Sequence, residues 1–253
     1  WNRPENAAFA LDEFARWALP VLPRWMGRRV IGGFARKMQS YLGVLGVTEV
    51  THRAIEEMVQ TTLSALEAQL GETPYVLGER PCLGDFALYG PLWAHLYRDP
   101  ASRELFDDRP NVTRWLMRLT EGAHVEGAFL GEDTVPTALD PLFECALTDQ
   151  WAWIATLVDA IDAYCAANPE ATRVPRALGS ARFTVRGVEA QRKIATFVQW
   201  KAQRAEGAYR AAGGAADDWM ARVLGREDVA GVIPTIAHPF ALSQFKAVLA
   251  PTP

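Results

Sequence analysis

Leu83-Gly84-Asp85-Phe86-Ala87-Leu88-Tyr89-Gly90-Pro91-Leu92-Trp93-Ala94-His95-Leu96 is apolar almost all round. A helix with no polar face must be covered on every side, so this stretch reads as the central, buried helix of the fold. Asp85 falls at the third helical position when Cys82 is the N-cap. A carboxylate there reaches back to the N-cap amide and sits at the positive end of the helix. Cys82 stands where Ser or Thr would offer a hydroxyl, and sulfur accepts weakly, so half of the capping box is impaired. Pro91 cannot donate to the carbonyl of Ala87, which predicts a bend, eased by Gly90, in a helix that continues.

Working outward, Ile55, Val59, Thr62, Leu66 and Leu70 form one stripe, with Met58 and Leu63 beside it. The spacing predicts a helix over 49–70, with Gly71 placed for a left-handed C-cap. Before it, Ala10, Phe14, Trp17, Ala18 and Val21 recur opposite Asp12, Glu13 and Arg16, a helix entered after Pro4 and stopped near Pro20. A second helix is expected from Arg24, loosened by Gly27, Gly32 and Gly33 and resuming with Phe34, Met38, Tyr41 and Leu45 on one face. Downstream, Pro110 opens a helix that buries Val112, Trp115, Leu116 and Leu119 and is closed by Gly122, Gly127 and Gly131. A long helix lies between Asp140-Pro141 and Asn168-Pro169.

Phe183 and Val185 alternate with Arg182, Thr184 and Arg186 before Gly187, the one strand-like stretch. Helical spacing returns with Ile194, Phe197, Val198, Lys201, Ala205 and Ala208, and again around Trp219, Met220 and Val223. The proline-rich tail after residue 231 reads as loop. So lopsided a balance cannot build a parallel sheet. The fold class is all-α: a helical domain over 1–135 and a helical extension over 136–253, with at most one short β-hairpin.

Composition narrows the partners. The 253 residues are 49% hydrophobic and 22% charged, with 26 Lys+Arg against 30 Asp+Glu and a net charge of -4. That is a globular chain without the general basic balance that nucleic acid demands, so no nucleic-acid partner is expected. The three cysteines, Cys82, Cys145 and Cys165, leave an odd thiol, which fits a reducing, cytoplasmic setting. On one unbroken helix Cys145 and Cys165 stand ~30 Å apart, too far to bridge. The most apolar run, Trp151–Cys165, is broken by Asp159 and Asp162, so no membrane span or membrane partner is expected. The chain starts at Trp1 without a methionine or signal-like segment, which suggests that something precedes it.

Chemistry is sparse. No strand leads through spaced glycines into a helix, and Gly32-Gly33 and Gly213-Gly214 read as turns rather than phosphate loops. His52, His95, His124 and His238 are scattered, and no CxxC occurs, so no metal site is expected. No catalytic residue is assigned. His95 and Asp99 stand one helical turn apart, an acid/base pairing or a helix end followed by a turn. Arg24, Arg28, Arg29, Arg36 and Lys37 have no acidic neighbour and would either attract an anion or lie as a solvated face. Aromatics crowd the first 41 residues beyond what one helix pair needs for its core.

Tyr75-Val76-Leu77-Gly78, followed by Pro81-Cys82-Leu83-Gly84-Asp85-Phe86-Ala87-Leu88-Tyr89-Gly90, resembles the C-terminal helical domain of the glutathione S-transferase family. Asp85 matches the family's capping aspartate, and Cys82 departs at the hydroxyl position. Pro110-Asn111-Val112-Thr113-Arg114-Trp115 is similar to the family's next helix. The resemblance covers about residues 1–120 and implies a transferase-like helical bundle, with dimerisation possible. It also implies a thioredoxin-like domain ahead of Trp1 that carries the glutathione site. In this chain Val135-Pro136 and Val174-Pro175 lack that site's surroundings. Glutathione is then a co-substrate of the longer protein only, and activity is not expected of this chain alone. The family's first helices here supply a pocket for a small hydrophobic electrophile, which makes Phe14, Trp17, Trp25 and Tyr41 the candidate lining. A non-catalytic binding or complex-assembly module on the same helical fold is the alternative.

Overall fold

Proline places the first helix ends in the computed structural model, which describes residues 3–122, 126–132, 134–244 and 246–250. Helix α1 runs Pro4–Ala18, α2 Arg24–Val44 and α3 His52–Glu72. The chain divides into two units, Trp1–Leu42 with Val59–Asp140, and Gly43–Met58 with Pro141–Pro253. Contrary to expectation, α2 passes through Gly32 and Gly33 without a break or turn. Gly27 serves packing instead: a Cβ there would lie 3.2 Å from the Ala15 Cβ, so its absence lets α1 and α2 approach closely. Gly71 also departs from expectation. It is not left-handed, because α3 continues to Glu72.

In the first unit, Leu63, Leu66 and Leu70 of α3 are buried, as are Val112, Trp115 and Leu116 of α5, Pro110–Glu121. Each such side chain contributes roughly 1.5–3 kcal/mol on leaving water. Glu67 ties the two helices. Its carboxylate accepts the amides of Asn111 and Val112, each at 3.0 Å, and its backbone carbonyl accepts Asn111 Nδ2 at 3.1 Å. Two otherwise orphaned N–H groups of the α5 N-terminus are thereby satisfied, at the end that favours negative charge.

The segment expected to be buried on every side begins as α4, Leu83–Leu92, and departs from that expectation: only Asp85 and Leu92 are buried, while Leu83 and Phe86 are exposed. It widens into a π-helical turn, Trp93–Tyr97, closed by Arg98 N donating to Trp93 O at 3.1 Å. Pro91 leaves the Ala87 carbonyl without its usual donor, and the wider turn just after it is the form the expected irregularity takes. A 3₁₀ segment, Pro100–Phe106, leads on to α5.

In the second unit α6, Asp140–Cys145, a π-helical turn, Ala146–Gln150, and α7, Trp151–Ala167, form one helical run. β1, Ala177–Val185, pairs antiparallel with β2, Val188–Ala195. Arg186 and Gly187 join them with φ of 47° and 79°, the left-handed pair that a two-residue hairpin turn requires. Helix α8, Phe197–Ala212, and α9, Gly214–Leu224, follow. Ile194 therefore belongs to a strand and not to the helix the sequence suggests. The tail also differs from expectation: β3, Phe240–Ser243, and β4, Lys246–Leu249, make a second hairpin. Phe240 anchors it in a core with Trp153, Leu157 and Ile161. The all-α class holds, with two hairpins where at most one is expected.

Candidate functional site

The start of α4 is fixed by one buried carboxylate. Asp85 Oδ1 accepts Val76 N at 3.0 Å and Trp115 Nε1 at 2.8 Å, while Oδ2 accepts Cys82 N at 2.8 Å. Three donors thus replace the water that a fully buried carboxylate has lost. The Cys82 thiol faces the Asp85 amide to complete the box, and that amide also donates to the Cys82 carbonyl at 3.1 Å. Burial and the neighbouring Asp85 push the Cys82 thiol up, so it is not held as a thiolate. This cluster supports the fold and carries no chemistry of its own.

A groove of about 580 Å³ lies on the same unit. One wall is a single face of α1: Asn6, Phe9, Ala10, Glu13, Phe14 and Trp17 recur at helical spacing. Ala94, His95, Arg98 and Asp99, on and just past the π-helical turn, form the facing wall, and Met38 comes from α2. Asn6 fastens the walls, donating to Ser102 Oγ at 2.9 Å and accepting Ala101 N at 2.8 Å. Phe14 meets Phe34 edge-on at 5.7 Å, and Arg98 pairs with Glu13 across the groove.

The groove has an aromatic end and an ionic end. Burial raises the Asp99 carboxyl above its ordinary value of 3.8, although His95 and Arg98 pull it down. A half-buried carboxyl in that state suits a site that takes in apolar groups. All four aromatic candidates are exposed, Trp17 at 75% the most; Phe14 and Trp17 line the groove and Trp25 and Tyr41 do not. His95 and Asp99 share the facing wall, with no hydrogen bond between them among the described residues. Ala10, Phe14 and Trp17 could be read from their spacing, but Glu13, expected on the opposite side, lines the same wall. On the facing wall, about 80 residues away, the His95 and Asp99 spacing is the local signal, and nothing local joins it to α1.

The second unit holds a pairing that sequence reasoning missed. His238 Nδ1 lies 2.7 Å from Asp162 Oδ1, with the strand-side carbonyl of His238 held by Gln199 Nε2 at 2.7 Å. No hydroxyl or thiol is hydrogen-bonded to the other His238 nitrogen among the described residues. Cys165, one turn from Asp162, is buried with its thiol pushed up by that burial and by Asp162. Among the described residues no three His, Cys, Asp or Glu gather as a metal site, and no helix is long and apolar enough to cross a membrane. His124 and Trp1 lie outside the described residues.

No curated protein and no solved structure matches the chain. Residues 49–118, which run from α3 through the Asp85 cap to Trp115 in α5, match the family model described as glutathione S-transferase, C-terminal domain. That stretch of the chain is similar to a glutathione S-transferase C-terminal domain, and it is the part in which one buried aspartate holds the start of α4.

Proposed function

We propose that the first unit is the substrate-side helical half of a glutathione transferase-like protein and that its groove receives a small apolar electrophile. The observation that carries this reading is the groove itself: an aromatic wall on α1 faces an ionic wall beside the π-helical turn, enclosing space for a molecule of one or two rings. Glutathione, as co-substrate, supplies a nucleophilic thiol from a thioredoxin-like domain. Among the described residues the strands form two antiparallel hairpins, and this reading assigns the glutathione site to none of them. Its own part is to bind and to exclude water. Phe9, Phe14 and Trp17 cover the ring, Met38 adapts to its outline, and the Arg98–Glu13 pair closes the polar end.

Titration calorimetry with 1,3-dinitrobenzene, a neutral and unreactive aromatic, tests the reading. One saturable site is expected, weakened roughly fivefold to tenfold by Phe14→Ala, as loss of an aromatic contact implies. Binding that is indifferent to both Phe14→Ala and Trp17→Ala would place the ligand elsewhere. Robust conjugation of glutathione to chlorodinitrobenzene by this chain alone would overturn the substrate-side assignment.

A further inference from the structure

Between Glu13 and Glu49 the sequence has no acidic residue, yet it carries Arg16, Arg24, Arg28, Arg29, Arg36 and Lys37. Six positive charges in that stretch, against a chain total of -4, leave -10 on the remainder. The asymmetry is focused on α2 and the turn before it. Arg28 is paired with Asp12 at 3.2 Å, whereas Arg24, Arg29, Arg36 and Lys37 are exposed. None of these four has an acidic partner among the described residues.

The same segment exposes its apolar side chains. Val21 is 90% exposed, Trp25 70% and Val30 61%, and Phe34 and Tyr41 are about half exposed. Val30, Phe34 and Tyr41 share one flank of α2 by helical spacing, with Lys37 between them and Arg29 and Arg36 on the adjoining face. Gly27 and Ala35 are the residues α2 buries. Val21, Trp25 and Val30 belong to no wall of the aromatic groove. Large apolar and cationic side chains lie together, without acids, on the exposed arc of a helix whose opposite side is packed, and such a surface can offer cations to anionic headgroups while apolar side chains flank them.

We propose that the α2 face, with the Pro20–Pro23 turn, binds an anionic lipid surface. Val21, Trp25 and Val30 enter the headgroup boundary while Arg24, Arg29, Arg36 and Lys37 meet lipid phosphates and carboxylates. No span is needed for this, so the absence of one from the sequence does not bear on it. Charge decides among the occupants. A second copy would bring the same positive face into apposition with itself, and a nucleic acid would leave the aliphatic side chains without a role.

Vesicle sedimentation of the full 253-residue chain is the test, with phosphatidylcholine vesicles as control and the same vesicles containing about 30 mol % phosphatidylserine as the anionic surface. The protein should sediment with the anionic vesicles and not with the neutral ones, and raised salt should release it. Replacing Arg24, Arg29, Arg36 and Lys37 together by Gln should weaken binding by about a hundredfold or more. Val21→Ser with Val30→Ser should weaken it without changing its preference for anionic lipid. Circular dichroism and the melting temperature establish that both variants fold, and the salt dependence of the unsubstituted chain does not rely on them. Failure to sediment, or equal sedimentation with neutral vesicles, overturns the proposal. So does binding to soluble polyglutamate as tight as to vesicles and unchanged by the serine substitutions, which would assign the face to an acidic polypeptide. A stable dimer that binds neither would assign it to a second copy.

Discussion

Asp85 shows how one side chain can determine the course of three segments. Its two oxygens hold the loop at Val76, the start of α4 at Cys82 and the indole of Trp115 in α5. In Asp85→Asn the amide oxygen can keep the two donors at Oδ1, but its NH₂ group would face the Cys82 N–H. Leaving that buried donor opposed should cost about 1–3 kcal/mol, and Asp85→Ala, which abandons all three donors, should cost more. Urea unfolding followed by circular dichroism reads both. Cys82→Ser acts in the other direction. A hydroxyl is a better partner for the N3 amide than sulfur, and a gain of ~0.5–1 kcal/mol is expected, seen as a rise in the melting temperature. Asp99 supplies a pH dependence. Burial raises its carboxyl, so the neutral form favours the folded state. The contribution is complete below the ordinary value of 3.8 and is lost as pH rises through the elevated one. Affinity of the groove for a neutral aromatic should fall over the same window and be flat in Asp99→Asn; an unchanged slope in that variant would remove Asp99 from the site.

At the scale of elements, small residues and caps decide which helices and strands meet. Gly46 has φ of 79°, and a Cβ there would lie 2.4 Å from the Phe183 ring of β1. Gly46→Ala combines a left-handed backbone with a steric clash and should cost ~2–4 kcal/mol. Much of that should be relieved when Phe183→Ala is added, so a double-mutant cycle in urea should show strong coupling, and simple additivity would contradict the contact. Glu67→Ala strips two acceptors from the α5 N-terminus and should cost about 1–2 kcal/mol. What could be read from the sequence follows from range. The stripe of α3, Pro110 at the first turn of α5 and the Asp85 cap are local signals, and they appear as expected. β2 is hidden in the sequence because Arg192 interrupts the apolar side of its alternation and Ile194 also fits the spacing of the helix after it. β3 and β4 are four residues each, too short for any period to emerge. Gly71 and the Gly32-Gly33 pair mislead because a helix can carry glycine where neighbouring turns hold it.

For the molecule as a whole, the division into two units gives calorimetry something to resolve. Two transitions are expected, one lowered by Asp85→Asn and the other by Gly46→Ala; a single transition lowered alike by both would show one cooperative block. The candidate site was half legible. Phe14 and Trp17 lie on a face of α1 that repeats visibly along the chain, whereas the wall from Ala94 to Asp99 is brought to it by folding alone. Aromatic density alone does not separate Phe14 and Trp17, which share the α1 wall, from Trp25 and Tyr41, which lie on α2 outside the groove.

The most direct measurement uses the five methionines as reporters. Only Met38 among them lines the groove, while Met220 is buried in the second unit. In a ¹³C-methyl methionine spectrum, with Met38 assigned by Met38→Leu, titration with 1,3-dinitrobenzene should move the Met38 signal to saturation and leave Met220 in place. A Met38 signal that stays fixed while the ligand binds elsewhere, or does not bind at all, would contradict the account.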